Sequence, residues 1–159
     1  MRLNKAILIV VATVLACGLN SCSTKKNTAG SRFWHAFNTR YNVYYNGETH
    51  YNEQIHELET KYEDNYSQLL FMHPAEAYAN PKAPQPSTNF DRTIEKMQKA
   101  IQLHSIKKRP KKKSGRLTKK DKEWLKREEY NPFLHNAWYL MAKSQYMKGD
   151  YLAAASTFH

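Results

Sequence analysis

The chain has 159 residues with a net charge of +11, 41% apolar residues, twenty aromatic side chains and only five glycines. Ten Lys/Arg against one Asp between Lys107 and Lys122 carry +9 of that charge, so the basicity is local and is not that of a nucleic-acid-binding fold. Both cysteines, Cys17 and Cys22, lie near the start, which excludes a disulfide framework or a cysteine metal site in the remainder.

Arg2 and Lys5 precede an eleven-residue apolar run, Ala6 to Ala16, interrupted by Thr13. That is too short for a bilayer, which needs about 20 residues, but suits the apolar region of a signal peptide. Leu19-Asn20-Ser21-Cys22 then resembles the bacterial lipobox. The resemblance implies removal of residues 1–21 and acylation of Cys22. Val14-Leu15-Ala16-Cys17 is a competing match with a shorter apolar run, and the plainer alternatives are an ordinary secretory signal or a short membrane anchor. Residues 22–31 read as a small, polar, lipid-anchored tether.

Ser31 is the expected helix N-cap. Phe33, Trp34, Phe37, Tyr41 and Tyr44 recur at three and four and mark one helical face, which at this spacing is expected to be core. Tyr45, Tyr66 and Tyr78 fall off the stripes and are expected at the surface. Asn46-Gly47 reads as a stop, and Tyr51, Ile55, Leu58 and Tyr62 mark a second helix, giving an αα-hairpin. Residues 63–89 contain Pro74, Pro81, Pro84 and Pro86 and read as a long irregular insertion, packed through Leu69, Leu70, Phe71 and Met72.

Phe90, Ile94, Met97 and Ile101, widened by Ala100 and Leu103, predict a third helix from about Asp91 to Ile106, completing a divergent hairpin region over 32–106. Residues 107–117 form a basic loop bracketed by Pro110 and Gly115. Thr118 and Asp121 match a capping box and open a short helix within 118–131. Asn131 as N-cap and Pro132 at the first position start a helix to about Lys148. Gly149 ends it, Asp150 caps the next, and Tyr151 to Phe158 begins a partner.

Residues 132–159 resemble the start of a tetratricopeptide repeat. Trp138, Met141, Ala142, Tyr146, Gly149, Tyr151, Ala154 and Phe158 occupy its signature slots. Small residues, Ala142 and Ala154, let two helices approach, while Trp138, Met141 and Phe158 are expected to fill the space between them. Met141, Ala142 and Gln145 depart from the usual Leu, Gly and aromatic. The repeat takes about 34 residues, and His159 is its twenty-fifth, so the chain is expected to be cut short. Residues 89–106 resemble the second helix of another repeat, with Thr93 for the usual Ala. The fold expectation is therefore all-α: tetratricopeptide-like hairpins opening an α-solenoid.

A narrower resemblance covers nearly the whole mature chain. Ser23-Thr24-Lys25-Lys26-Asn27-Thr28, Arg40-Tyr41-Asn42-Val43-Tyr44-Tyr45-Asn46-Gly47, Ile101-Gln102-Leu103-His104-Ser105-Ile106-Lys107-Lys108 and Glu129-Tyr130-Asn131-Pro132-Phe133 are similar to the SprE/PorW lipoproteins of Bacteroidota. That resemblance implies an outer-membrane lipoprotein of type IX secretion and gliding motility, linking periplasmic and motor components to the outer-membrane translocon. A general outer-membrane assembly lipoprotein is the alternative. The tether lacks an acidic stretch, which places the anchor at the periplasmic face.

No ligand-spacing motif accompanies the seven histidines. His50, Glu53 and Glu57 could at most form a surface cluster. No enzyme constellation appears, and neither a cofactor, a metal, a nucleic acid nor a small-molecule substrate is expected. Lys107, Lys108, Arg109, Lys111, Lys112 and Lys113 are either a solvated loop or an electrostatic contact for anionic head groups or an acidic partner. The expected partners are proteins of the secretion and motility machinery, and the membrane through Cys22.

Overall fold

The computed structural model describes residues 24, 26–61, 66–67, 69–70, 72, 89–111 and 115–159. The fold is all-α, with no strand among these residues. Cys17, Cys22, the leader, Phe71, Tyr78 and the four prolines of the insertion lie outside them.

The first rod is longer than the sequence pattern predicts. Helix α1 (Ala29–Asn38) passes through a π-helical segment (Thr39–Tyr44) into α2 (Tyr45–Lys61) without leaving helical geometry. Thr28, not Ser31, caps it: the Thr28 hydroxyl accepts from the Ser31 amide at 3.1 Å. The helix thus begins inside the expected 22–31 tether, and Ser31 becomes a buried residue of its inner face.

The expected turn at Asn46-Gly47 does not form. Asn46 donates its amide to the Asn42 carbonyl one turn back, at 2.6 Å. Gly47 is buried and serves a different need: a Cβ there would sit 2.3 Å from the Met97 methyl of the neighbouring helix. It is a close-approach glycine inside a helix, where an extended Asn-Gly signal would normally mark a turn.

The π segment sets which face turns inward. Ser31, His35, Thr39, Gly47 and Tyr51 are buried, a spacing in multiples of four. A regular α-helix drifts by about 40° for each step of four. The i→i+5 bonding of the π turn places more residues in each turn and takes up part of that drift. Thr39 and Asn38 bond back to the His35 and Trp34 carbonyls at 2.7 and 3.0 Å, the local competition that loosens a helix at such a point.

Consequently α1 is inverted. Its inner face is Ser, His and Thr, while Phe33, Trp34, Phe37 and Tyr41 are 71, 45, 47 and 58% exposed. The aromatic stripe expected to be core is surface over α1. Within the π segment Val43 and Tyr44 already pack against the core, as expected of Tyr44, and past it Tyr51 and Leu58 are buried with Ile55 against them. Tyr45 and Tyr66 are exposed as expected.

Helix α3 (Asp91–His104) packs against α2, the π segment and α5 (Leu134–Lys148). Phe90, Met97 and Ala100 meet Tyr51, Leu58, Ala137, Leu140, Met141 and Met147 in one cluster. Leu103 does not widen that stripe; it is 52% exposed. Leu69, Leu70 and Met72 are exposed as well, so the expected packing of the insertion through them does not occur.

Helix α4 (Lys119–Leu125) starts with the expected capping box: Thr118 Oγ1 accepts from the Asp121 amide, and Asp121 accepts from the Thr118 amide. Asn131 Oδ1 accepts from the Phe133 amide at 3.0 Å, one turn before the regular part of α5. Gly149 ends α5 in the left-handed region at φ 90°, with the Asp150 amide reaching Gln145 O and its own amide reaching Tyr146 O. These two bonds are those of a Schellman motif. Helix α6 (Tyr151–Phe158) then folds back onto α5.

Candidate functional site

Three features outside the apolar core gather polar or aromatic side chains. The first is a polar joint where α1, the end of α3 and the segment before α5 meet. His35 and His104 bring their Nδ1 atoms to 3.0 Å, with ring centroids 5.3 Å apart. Thr39 Oγ1 donates to His35 O, and Asn131 Nδ2 donates to both Thr39 Oγ1 and His104 O. Glu129 accepts from Ser105 Oγ and from the amides of Ile106, Tyr130 and Asn131, at 2.5 to 2.9 Å.

Two facing imidazoles at this distance share one proton, one ring donating and the other accepting. Burial pushes both histidines below the usual imidazole range; the Glu129 carboxylate opposes this at His35, and His35 adds to it at His104. His35 Nε2 is buried without a hydrogen-bond partner among the described residues, so a proton there would be met only by the longer-range attraction of Glu129. Beside this joint Tyr44 packs edge-on to Phe133 at 5.1 Å, and Ser105 and Ile106 bond to Glu129.

The second feature is a cavity of about 580 Å³ lined by Lys26, Asn27, Thr28, Ala29 and Arg32, by Lys108, Arg109, Pro110 and Lys111, and by Trp124. Asn27 ties its two sides together. Its Nδ2 donates to Lys108 O and its Oδ1 accepts from Arg32, both at 2.6 Å. The Arg32 guanidinium lies 5.1 Å from the Trp124 ring centre. The expected basic cluster is therefore spread over two adjoining cavities: Arg109 and Lys111 line this one, Lys107 lines another with Glu128, Glu129 and Trp138, Lys108 lines both, and Lys112 and Lys113 lie outside the described residues. Arg32 and Trp124 were not singled out as site residues from sequence, because only the fold joins positions so far apart in the chain.

The third is the exposed face of α1. Phe33, Phe37 and Tyr41 stack in succession at 6.1 and 4.9 Å, and Arg40 lies over Tyr41 and Phe133. With Ala36 these residues line a cavity of about 410 Å³.

The repeat-signature residues separate into two groups. Met141, Ala142 and Ala154 are buried and Gly149 ends the helix, as close helix approach requires. Trp138 and Phe158 do not meet between the helices. Trp138 is 42% exposed and lines a cavity with Ile101, Gln102 and Ser105, while Phe158, 51% exposed, packs edge-on to Tyr139 at 5.8 Å. Tyr146 packs on Tyr151 across the turn at 5.4 Å. The large side chains thus find their neighbours beside α3, at Ile101, Gln102 and Ser105, and within the hairpin, at Tyr139.

The His50/Glu53/Glu57 cluster does not assemble. His50 Nδ1 pairs with Thr93 Oγ1 at 3.0 Å, and Glu57 pairs with Lys61. Among the described residues no group of three His, Cys, Asp or Glu side chains is placed to hold a metal ion. No family model matches the chain, and no curated protein and no solved structure matches it either.

Proposed function

We propose that the chain is a lipid-anchored helical scaffold, held to the outer membrane through Cys22, that binds partner proteins and carries out no reaction of its own. The observation that carries this reading is the inversion of α1. A helix whose polar side is buried and whose Phe33, Trp34, Phe37 and Tyr41 stand in solvent holds an aromatic ladder of the kind that anchors protein interfaces. The π segment and the joint at Thr39–Asn131 fix that orientation, so the ladder is presented by a rigid element.

The tetratricopeptide-like character of α5 and α6 supports the same reading at a lower level. Ala142, Gly149 and Ala154 behave as the repeat needs, Trp138 and Phe158 do not, and the repeat assignment stands as part of the proposal. The role in type IX secretion and gliding motility rests on the four segments of family resemblance. Contacts between them, Tyr44 with Phe133, Ser105 and Ile106 with Glu129, and Asn27 with Lys108, support reading them as parts of one architecture.

Deletion of the gene with assays of type IX cargo secretion and surface spreading tests the cellular role. Loss of general outer-membrane proteins with intact secretion would favour the assembly lipoprotein instead. Replacing Phe33, Phe37 and Tyr41 by serine tests the interface: melting is expected to stay near wild type, because the side chains are exposed, while crosslinked partners are lost. Neutralising Lys107–Lys113 is expected to weaken association mainly at low salt, since exposed charges are screened over about 8–10 Å at physiological ionic strength.

A further inference from the structure

We infer that the cavity between the start of α1 and the basic loop binds the phosphate group of an anionic lipid head group. Five cationic side chains converge on it, Lys26, Arg32, Lys108, Arg109 and Lys111, and no carboxylate is among its lining residues. Its volume of about 580 Å³ falls in the range of small-molecule sites, about 300–1,000 Å³. The Arg32 guanidinium is held in place by Asn27 Oδ1 and the Trp124 ring, and it retains N–H groups in the fork geometry that suits phosphate oxygens. Asn27 Nδ2 clamps the basic loop to the same strut through Lys108 O. Fold contacts thus fix the Arg32 guanidinium and the backbone of the basic loop at one concavity, while the exposed Lys26, Lys108, Arg109 and Lys111 line its rim.

The lipid source rests on the anchored reading of Cys22. Four residues separate Cys22 from Lys26, a reach of at most about 14 Å. That brings the cavity to the edge of the polar zone of a leaflet, roughly 5–8 Å deep. An acidic protein segment would be met by the same charges, but a compact cavity with a fixed guanidinium fits a tetrahedral phosphate better than an extended chain.

The test uses the full chain with Cys22→Ser, which removes acylation and leaves the cavity intact. Flotation is measured with phosphatidylcholine vesicles, with and without phosphatidic acid, and competition with glycerol phosphate, inorganic phosphate and polyglutamate. Preference for the acidic vesicles is expected, with glycerol phosphate competing better than polyglutamate. Lys108→Gln with Lys111→Gln should lower binding about fivefold for each cation removed. Removing the same charges on α4, Lys119→Gln with Lys122→Gln, should change it less than about twofold. Arg32→Lys, which keeps the charge and loses the fork, should fall between.

Equal losses in the cavity and α4 variants, with unchanged melting, would overturn the site, as would polyglutamate competing as well as glycerol phosphate. Saturable phosphate binding without vesicle preference would overturn the lipid source. The anchor is read separately by labelled palmitate in the wild-type chain. Acylation together with an indifferent Cys22→Ser chain sinks the cavity alone, and phosphate-dependent flotation without acylation sinks the anchor alone.

Discussion

Gly47→Ala separates the two roles a glycine can have in this sequence. At the crossing of α2 and α3 the new methyl would lie 2.3 Å from Met97 Cε and 3.8 Å from Leu140 Cδ2. Met97 is fully buried in the main cluster, so its flexible end can yield only by repacking against buried neighbours. Overpacking of this kind costs about 1–3 kcal/mol. Alanine regains about 0.5–1 kcal/mol of helix preference over glycine. The net expectation is a loss of about 1 kcal/mol, or roughly 4 °C in Tm for a chain of this size. Met97→Ala alone should cost about 2–5 kcal/mol by leaving a cavity. In that background the clash is gone, and Gly47→Ala should become neutral or stabilising. Urea denaturation of the four-member cycle reads the coupling, expected at about 1–3 kcal/mol. Asn46→Ala, on the exposed side of the same turn, should be close to neutral. An additive cycle, with Gly47→Ala costing the same whether or not Met97 is present, would refute the close-approach argument and favour a turn at Asn46-Gly47.

Other outcomes follow from the same contacts. The depressed pKa values of His35 and His104 mean that the unfolded chain binds more protons below about pH 6.5. Stability should be fully present above that pH and fall as the pH drops towards the folded pKa values; a Tm unchanged between pH 7.5 and 5.5 would contradict it, and His104→Gln should flatten the profile. Glu129 Oε1 accepts from all three backbone amides and Oε2 from the Ser105 hydroxyl; Glu129→Gln keeps one oxygen for the amides, turns the other position into a donor and removes the charge, and should cost about 1–2 kcal/mol in chemical denaturation. Gly149→Ala forces a side chain into φ 90° and should cost about 1–2 kcal/mol, whereas Gly30→Ala, with open space around it, should be neutral or slightly stabilising.

Elements whose boundaries are set by local chemistry were readable from the residues. The Thr118/Asp121 capping box, the Gly149 stop and the periodicity of Phe90, Met97 and Ile101 all act within one or two helical turns. The places where the reading failed depend on what lies opposite. Asn46-Gly47 carries a turn signal, but a helix continues there with Met97 of α3 and Leu140 of α5 occupying the space that a side chain would fill; Thr93 of α3 donates to the Gly47 carbonyl at 3.4 Å. Lys26, Arg32, Lys108 and Trp124 come together only after folding, and their separations leave no pattern to find.

The orientation of α1 shows the limit most clearly. Two stripes run along it at helical spacing, one of Phe, Trp and Tyr, the other of Ser, His and Thr. Hydrophobicity alone selects the first for burial, with a gain of about 1.5–3 kcal/mol for each large side chain. The second wins because its members are already paired: Thr39 with Asn131 and His35, and His35 with His104. A buried polar face is tolerated when its groups find partners, and most of these do. The aromatic side left outside is then not a fault of packing but a surface that stays exposed among the described residues. Removing the partners should reverse the preference. A chain with Thr39→Val, His35→Leu and Asn131→Leu should bind less of the partner captured through Phe33 and Phe37, because α1 is then free to roll its rings inward. Undiminished capture by that variant, with the helix content unchanged, would show that the polar joint does not hold the ladder outward.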